Sequence, residues 1–534
     1  MGTLWYNGTF FSMEAEGETF EAVYVEKGIV REAGDKQHLL DKYRNDINIR
    51  HDLNGLFVYP GFVDSHLHIV GHGEKLIRLD LSIAKSAEEM KRMLVEKETV
   101  LDVMDWLIGD GWNENNFIDR KIFHRDELDE ICEDKPMFLT RVCRHAALVN
   151  SKALALAGIT KETKDPEGGI IVRDYHGEPT GYLLDAACDL VKRVMPSATD
   201  EYVRRALTVA IDDLYKVGLV GGHTEDLHYY GGFKQTFNQY KKVIDGNKRK
   251  FRAHLLVHHE AVREMEEEGY SNKEITPFIE LGAVKIFADG ALGGRTALLK
   301  TPYTDDPSTS GVAIHTEESL HQIVKEARRK NRAVAIHTIG DGALDMALTA
   351  LETYPVEKGR DRLIHLQVAD ESLINRMKKL PVILDLQPRF VASDFPWVME
   401  RLGEERLPYA FAWKTLLDSG LHCAGGSDAP IEPVDPLLGI HAAITRKRVG
   451  EEHEGYLPEQ KLTPYEAVQL FTTGSAYAIE KEKERGKIAP GFQADFTILD
   501  QNLFAIEPDD ILTTNIKMTV VDDTIMYRHE MKKN

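Results

Sequence analysis

Cysteine is scarce in this chain. Four residues in 534, Cys132, Cys143, Cys188 and Cys423, share no C-x-x-C spacing, which argues against a disulfide scaffold or a cysteine-built zinc knuckle. Basic charge is also short. The 66 Lys and Arg against 87 Asp and Glu leave a net charge of -21, a surface that repels phosphate backbones and anionic lipid, so neither nucleic acid nor membrane is an expected partner. No apolar run approaches the roughly 20 residues of a membrane helix. The opening MGTLWYNGTFFSMEAEGETF lacks the basic-then-apolar pattern of a secretory signal. Internal repeats and low-complexity stretches are missing too, and a reducing cytoplasm is the expected setting. What is present is the balance of a soluble globular protein, 43% hydrophobic and 29% charged, in a chain too long for one ordinary domain.

Both ends read as short strands. Val23-Tyr24-Val25, Gly28-Ile29-Val30 and Leu56-Phe57-Val58 at the front are matched by Asp495-Phe496-Thr497-Ile498-Leu499 and Lys517-Met518-Thr519-Val520-Val521 at the back. Their shared texture suggests one small β domain built from residues 1–58 and 484–534. Between them, 59–483 alternates eight short apolar runs, beginning at Gly61, Gly218, Phe251, Ala283, Ala333, Leu363, Val382 and Leu421, with amphipathic helices. One such helix is capped by Thr316 and lines up Leu320, Ile323, Val324 and Ala327; another runs from Thr199 to Lys216. Eight strands alternating with helices predict an α/β fold, a (β/α)8 barrel of the TIM type. The first and second runs are separated by far more than an ordinary βα loop. Residues of about 75–198 therefore read as an insertion on the barrel mouth, with a helix from about Ser86 to Trp106 and a hairpin around His176-Gly177.

The chemistry gathers at the ends of the runs. Asp64-Ser65-His66-Leu67-His68 closes the first, and alternation along a strand puts His66 and His68 on one face. His337 and His365 close the fifth and sixth runs, Asp428 follows the eighth in Gly425-Gly426-Ser427-Asp428, and Lys285 sits inside the apolar fourth. Each has a blander role available. The histidines could be hydrogen-bonded rim residues, Asp428 a helix cap, and Lys285 half of a buried ion pair with Asp289. That all six share the C-terminal rim, where active sites of this architecture lie, favours one common cause.

In that order these residues resemble the amidohydrolase superfamily. The phrases Val284-Lys285-Ile286-Phe287-Ala288-Asp289-Gly290-Ala291-Leu292-Gly293-Gly294-Arg295, Val149-Asn150-Ser151-Lys152-Ala153-Leu154 and Gly486-Lys487-Ile488-Ala489-Pro490-Gly491 are similar to its amidohydrolase-3 group, which includes N-substituted formamide deformylase and YtcJ-like proteins. The resemblance implies a urease-like sandwich beside the barrel and a divalent metal site, zinc above others, with one or two ions per chain. His66, His68 and Asp428 would hold one ion, His337 and His365 the other, and a carboxylated Lys285 would bridge them. The implied reaction is hydrolysis of a C–N bond in a small amide, N-acyl or N-formyl amine by metal-activated hydroxide, with Asp428 shuttling the proton.

Two other readings remain open on the sequence: a deaminase or cyclic-amidine hydrolase of the same superfamily, and a non-catalytic ligand-binding barrel. Trp112, His145 and Arg295 are weaker candidates for substrate contact. Trp112 would otherwise fill the insertion's core, His145 lie on its surface, and Arg295 pair with Asp289. His223, ending the second run, reads as a rim residue. A homodimer is expected on base rates alone.

Overall fold

The computed structural model describes residues 2–99, 106–141, 145–166, 168–195, 198–270 and 274–529; Cys143 and residues 100–105 lie outside them. The eight apolar runs form eight strands: β1 (Phe62–Leu67), β2 (Leu219–Thr224), β3 (Arg252–His258), β4 (Ile279–Phe287), β5 (Val334–Thr338), β6 (Asp361–His365), β7 (Val382–Leu386) and β8 (Cys423–Gly425). They pair in parallel, each with its neighbour in sequence. The result is a nearly closed (β/α)8 barrel. Burial on both faces explains why these strands read as continuous apolar runs rather than alternating ones. The helix Glu317–Arg329 is capped by Thr316, whose side chain accepts the Ser319 N–H, and it buries Leu320, Val324 and Ala327. The helix expected from Thr199 runs Asp200–Lys216.

The seam between β8 and β1 is closed by side chains. Asp64 Oδ1 accepts the His66 N–H at 3.0 Å, and Asp64 Oδ2 accepts the Ser427 N–H at 3.0 Å and its hydroxyl at 2.6 Å. The Asp428 N–H donates to the His66 carbonyl at 2.7 Å. Gly426 is needed here, because a Cβ on it would stand 2.5 Å from the His66 nitrogen. Burial raises the Asp64 carboxyl to about 7 in spite of these donors.

Both chain ends contribute to one eight-stranded sheet. Phe57–Pro60 runs parallel to Gly2–Phe11 on one side and antiparallel to Phe496–Leu499 on the other. Trp5, Phe10, Val23, Val58, Phe496, Ile498 and Val520 pack in its core. A buried ion pair joins it to the barrel: Arg252 Nε and Nη2 donate to Asp495 at 2.9 and 3.0 Å.

His72–Tyr202 form a second compact unit. It carries a six-stranded sheet in which Gly169–Arg173 and Pro179–Asp185 make the expected antiparallel hairpin. The helix expected from Ser86 runs only Ala87–Glu98, with Ser86 as its N-cap, and Trp106 is not helical.

At the N-terminal end of the barrel, Glu280 of β4 accepts Arg485 Nη2 at 2.7 Å and lies 3.4 Å from His254 Nδ1. Burial alone would raise this carboxyl, but His254 and Arg485 hold it at about 2 against an ordinary 4.5. A carboxyl lowered on folding stabilises fully above its unfolded value and loses that contribution as pH falls through the folded one. Acid unfolding between pH 4.5 and 2 should therefore lose about 3 kcal/mol at this group. Glu280→Gln is expected to flatten that part of a urea-midpoint-against-pH curve, and an unchanged slope would contradict the assignment.

Candidate active site

The C-terminal ends of the barrel strands bring four of the expected residues into contact. Nε2 of His66 and of His68 lie 3.5 and 3.4 Å from the same oxygen, Asp428 Oδ1. Nζ of Lys285 is 3.3 Å from His66 Nε2. One ligand atom from each of His66, His68 and Asp428 lies within 4.8 Å of the others. His365 and His337 extend the group: the His365 ring is centred 5.3 Å from His66 and 4.4 Å from His337.

Hydrogen bonds behind the rings set their tautomers. His68 Nδ1 donates to the Glu225 carbonyl at 2.8 Å, His365 Nδ1 to Gln387 Oε1 at 2.7 Å, and His337 Nε2 to the Gly290 carbonyl at 3.0 Å. When neutral, each ring is thereby left with a lone pair on its other nitrogen, the pattern in which an outer partner orients a metal-binding imidazole. Burial keeps the rings neutral, pushing His365 to about 4 and, with help from Lys285, His66 and His337 well below their ordinary value. His68 is different. Burial opposes its charge, yet the Asp428 carboxylate lifts it to about 9. Asp428 in turn stays below the ordinary carboxylate value, because His68, His365 and Lys285 outweigh its burial. Imidazoles around one carboxylate, with His68 giving up its proton to an ion, make a donor set that fits a divalent transition ion.

Lys285 is completely buried. Burial lowers its amine to about 8, with Glu225 and Asp428 opposing the fall. Its ammonium lies 4.6 Å from the Phe287 ring centre. The alternative ion pair with Asp289 is not what the structure has: Asp289 accepts the backbone N–H groups of Leu298, Ile339 and Gly340 at 2.9, 3.0 and 2.8 Å, tying the loop after β4 to the end of β5. Nor does Asp428 act as a helix cap. It adopts a left-handed φ of 57° and turns its carboxylate to the two histidines.

The weaker candidates have partners of their own. Trp112 is fully buried in the core of the His72–Tyr202 unit and donates its indole N–H to the Leu139 carbonyl at 2.8 Å. His145 is exposed in that unit and pairs with Asp185 at 3.1 Å. Arg295 pairs with Asp305 at 2.8 Å, not with Asp289. His223 is buried in the barrel interior, its ring centred 5.2 Å from His254, rather than at the rim. The sequence reading passed over Glu225. It follows β2, is buried and raised to about 7 by that burial, and accepts the Tyr229 hydroxyl at 2.8 Å. The available signal was its place two residues after His223, at the end of a barrel strand.

A profile of the Amidohydrolase family, Amidohydro_3, matches residues 51–527. The chain belongs to the amidohydrolase family. It is 51% identical over 529 residues to the putative amidohydrolase YtcJ of Bacillus subtilis (strain 168), covering 99% of each chain. It is 25% identical over 547 residues to N-substituted formamide deformylase of Arthrobacter pascens, covering 98% of this chain and 97% of the relative. Among solved structures, an uncharacterized metal-dependent hydrolase from Pyrococcus horikoshii OT3 superposes with a TM-score of 0.82 at 30% identity, covering 95% of this chain and 99% of that one.

Proposed function

We propose that the chain is a metal-dependent hydrolase that cleaves a carbon–nitrogen bond in a small molecule, with N-formyl and N-acyl amines as the substrate class. The observation that carries this reading is the meeting of His66, His68 and Asp428 with a buried lysine amine at the C-terminal end of a (β/α)8 barrel. Family membership and the likeness to an N-substituted formamide deformylase support the bond type.

His66, His68 and Asp428 would hold one ion, with His337 and His365 available to a second, and zinc suits the donors best. When bound, a divalent ion supplies Lewis acidity, lowering the pKa of water toward 7 and polarising a carbonyl. Lys285 is the residue to be carboxylated. A deprotonated Nζ bonds to the carbon of CO2 and releases a proton to solvent, so a cation among histidines becomes a carbamate whose single negative charge is shared by two oxygens. An amine lowered to about 8 is partly in the reactive neutral form at neutral pH. Asp428, an anion at the same pH, accepts a proton from the attacking water and returns it to the leaving amine nitrogen.

The test is elemental analysis of full-length protein prepared with bicarbonate, followed by assay on N-formyl and N-acyl amines. About two equivalents of metal and measurable hydrolysis are expected, with at least one equivalent lost in Lys285→Ala. Full metal content in that variant would make the lysine structural. No metal in the wild type, even after reconstitution, would overturn the hydrolase reading.

A further inference from the structure

A second cluster of potential ligands stands on the same rim, outside the group just described. His228 lies in the loop after β2, His258 ends β3, and His259 and Glu260 form the short turn that follows. His228 Nε2 is 3.1 Å from Glu260 Oε2, and His258 Nδ1 is 3.8 Å from the same oxygen. One ligand atom from each of the three lies within 4.8 Å of the others. Two more imidazoles adjoin. The His259 ring is centred 4.6 Å from His258 and 5.2 Å from His315, the residue before Thr316, at the end of the long loop after β4. Phe287 separates this cluster from the first, its ring centred 5.9 Å from His258 and 5.2 Å from His337.

Four imidazoles share a single carboxylate, so the cluster is poor in negative charge and could not be fully protonated without self-repulsion. His228 and His258 stack at 4.4 Å and 15°, and Nε2 of His315 is buried without a hydrogen-bond partner among the described residues. His258 Nδ1 accepts the Glu260 N–H at a long 3.3 Å, so an ion bound there would take that lone pair in place of the N–H.

We propose that His228, His258 and Glu260, with His259 and His315 alongside, form a second divalent-metal site for a borderline transition ion such as zinc or cobalt. Imidazole nitrogens with one carboxylate oxygen suit such ions better than calcium or magnesium, which take oxygen ligands. An ion there would fasten the loop after β2 to the turn after β3. Its role is separate from the hydrolytic reading, and it stands whether or not that reading holds.

The experiment uses full-length protein in which His66→Ala, His68→Ala, His337→Ala and His365→Ala remove the histidine ligands of both ions expected at the first site. After stripping with chelator, the variant is dialysed against zinc and its bound metal counted. One equivalent per chain is expected, and it should disappear when His228→Ala and Glu260→Gln are added. No bound zinc, or an equivalent that survives the added substitutions, would overturn the proposal. Should the first variant fail to fold by circular dichroism, the wild type and the His228→Ala/Glu260→Gln variant are compared instead. One equivalent fewer in the latter supports the site, and equal contents refute it.

Discussion

Asp428→Asn is expected to lower kcat by about 10²–10⁴-fold on whichever N-formyl or N-acyl amine the wild type turns over best, the range for loss of a positioned general base. The change keeps the side chain's size and one oxygen, and removes the charge that draws His66 and His68 together. Metal content measured on the same preparation divides the effect. A large loss of kcat at full metal content assigns proton transfer to Asp428, whereas parallel loss of metal and activity assigns it to ligation. Turnover at the wild-type rate would remove Asp428 from both roles.

The largest stability effect is expected beneath the site. Arg362 of β6 is buried and its Nε donates to Asp385 Oδ2 of β7 at 2.7 Å, while its Nη2 donates to the Ser65 carbonyl at 2.6 Å. The pair therefore ties β6 and β7 to β1 immediately before His66. Asp385→Ala leaves a guanidinium buried without its counter-charge and should cost about 3–5 kcal/mol. The double change Arg362→Met/Asp385→Leu should recover much of that loss, since a well-packed apolar pair replaces the charges at similar volume. Urea unfolding of the three proteins checks this. A single-variant loss below about 1 kcal/mol, or a double variant weaker than the single, would show that the pair is not the tie described.

Much of the barrel and of the candidate site was legible because both are written locally. Each strand is a short apolar run, and each of the six expected ligands lies in one of those runs or directly after it. What was illegible depends on distant partners. Asp64 looks like one more polar residue beside two histidines, yet its work is done on Ser427, 363 residues away. Gln387 and the Glu225 carbonyl orient His365 and His68 from neighbouring strand ends, a relation with no periodicity to detect. Arg295 found its carboxylate ten residues on, in Asp305, because Asp289 was already occupied by three backbone donors. Trp112 was read as either a pocket wall or a core residue, and its burial among Leu81, Met90, Leu107 and Leu148 is that of a core residue.

The sheet assembled from both chain ends has a consequence for synthesis. Tyr59 and its partner across the sheet, Thr497, are 438 residues apart, which at roughly 5–20 residues per second is about 20–90 s of translation. During that interval the Phe57–Pro60 edge has no partner from its own chain, while an unpaired strand edge is a template for any other strand that meets it. Phe57–Pro60, already paired with Gly2–Phe11 on one side, thus waits with its other edge open until Phe496–Leu499 is made.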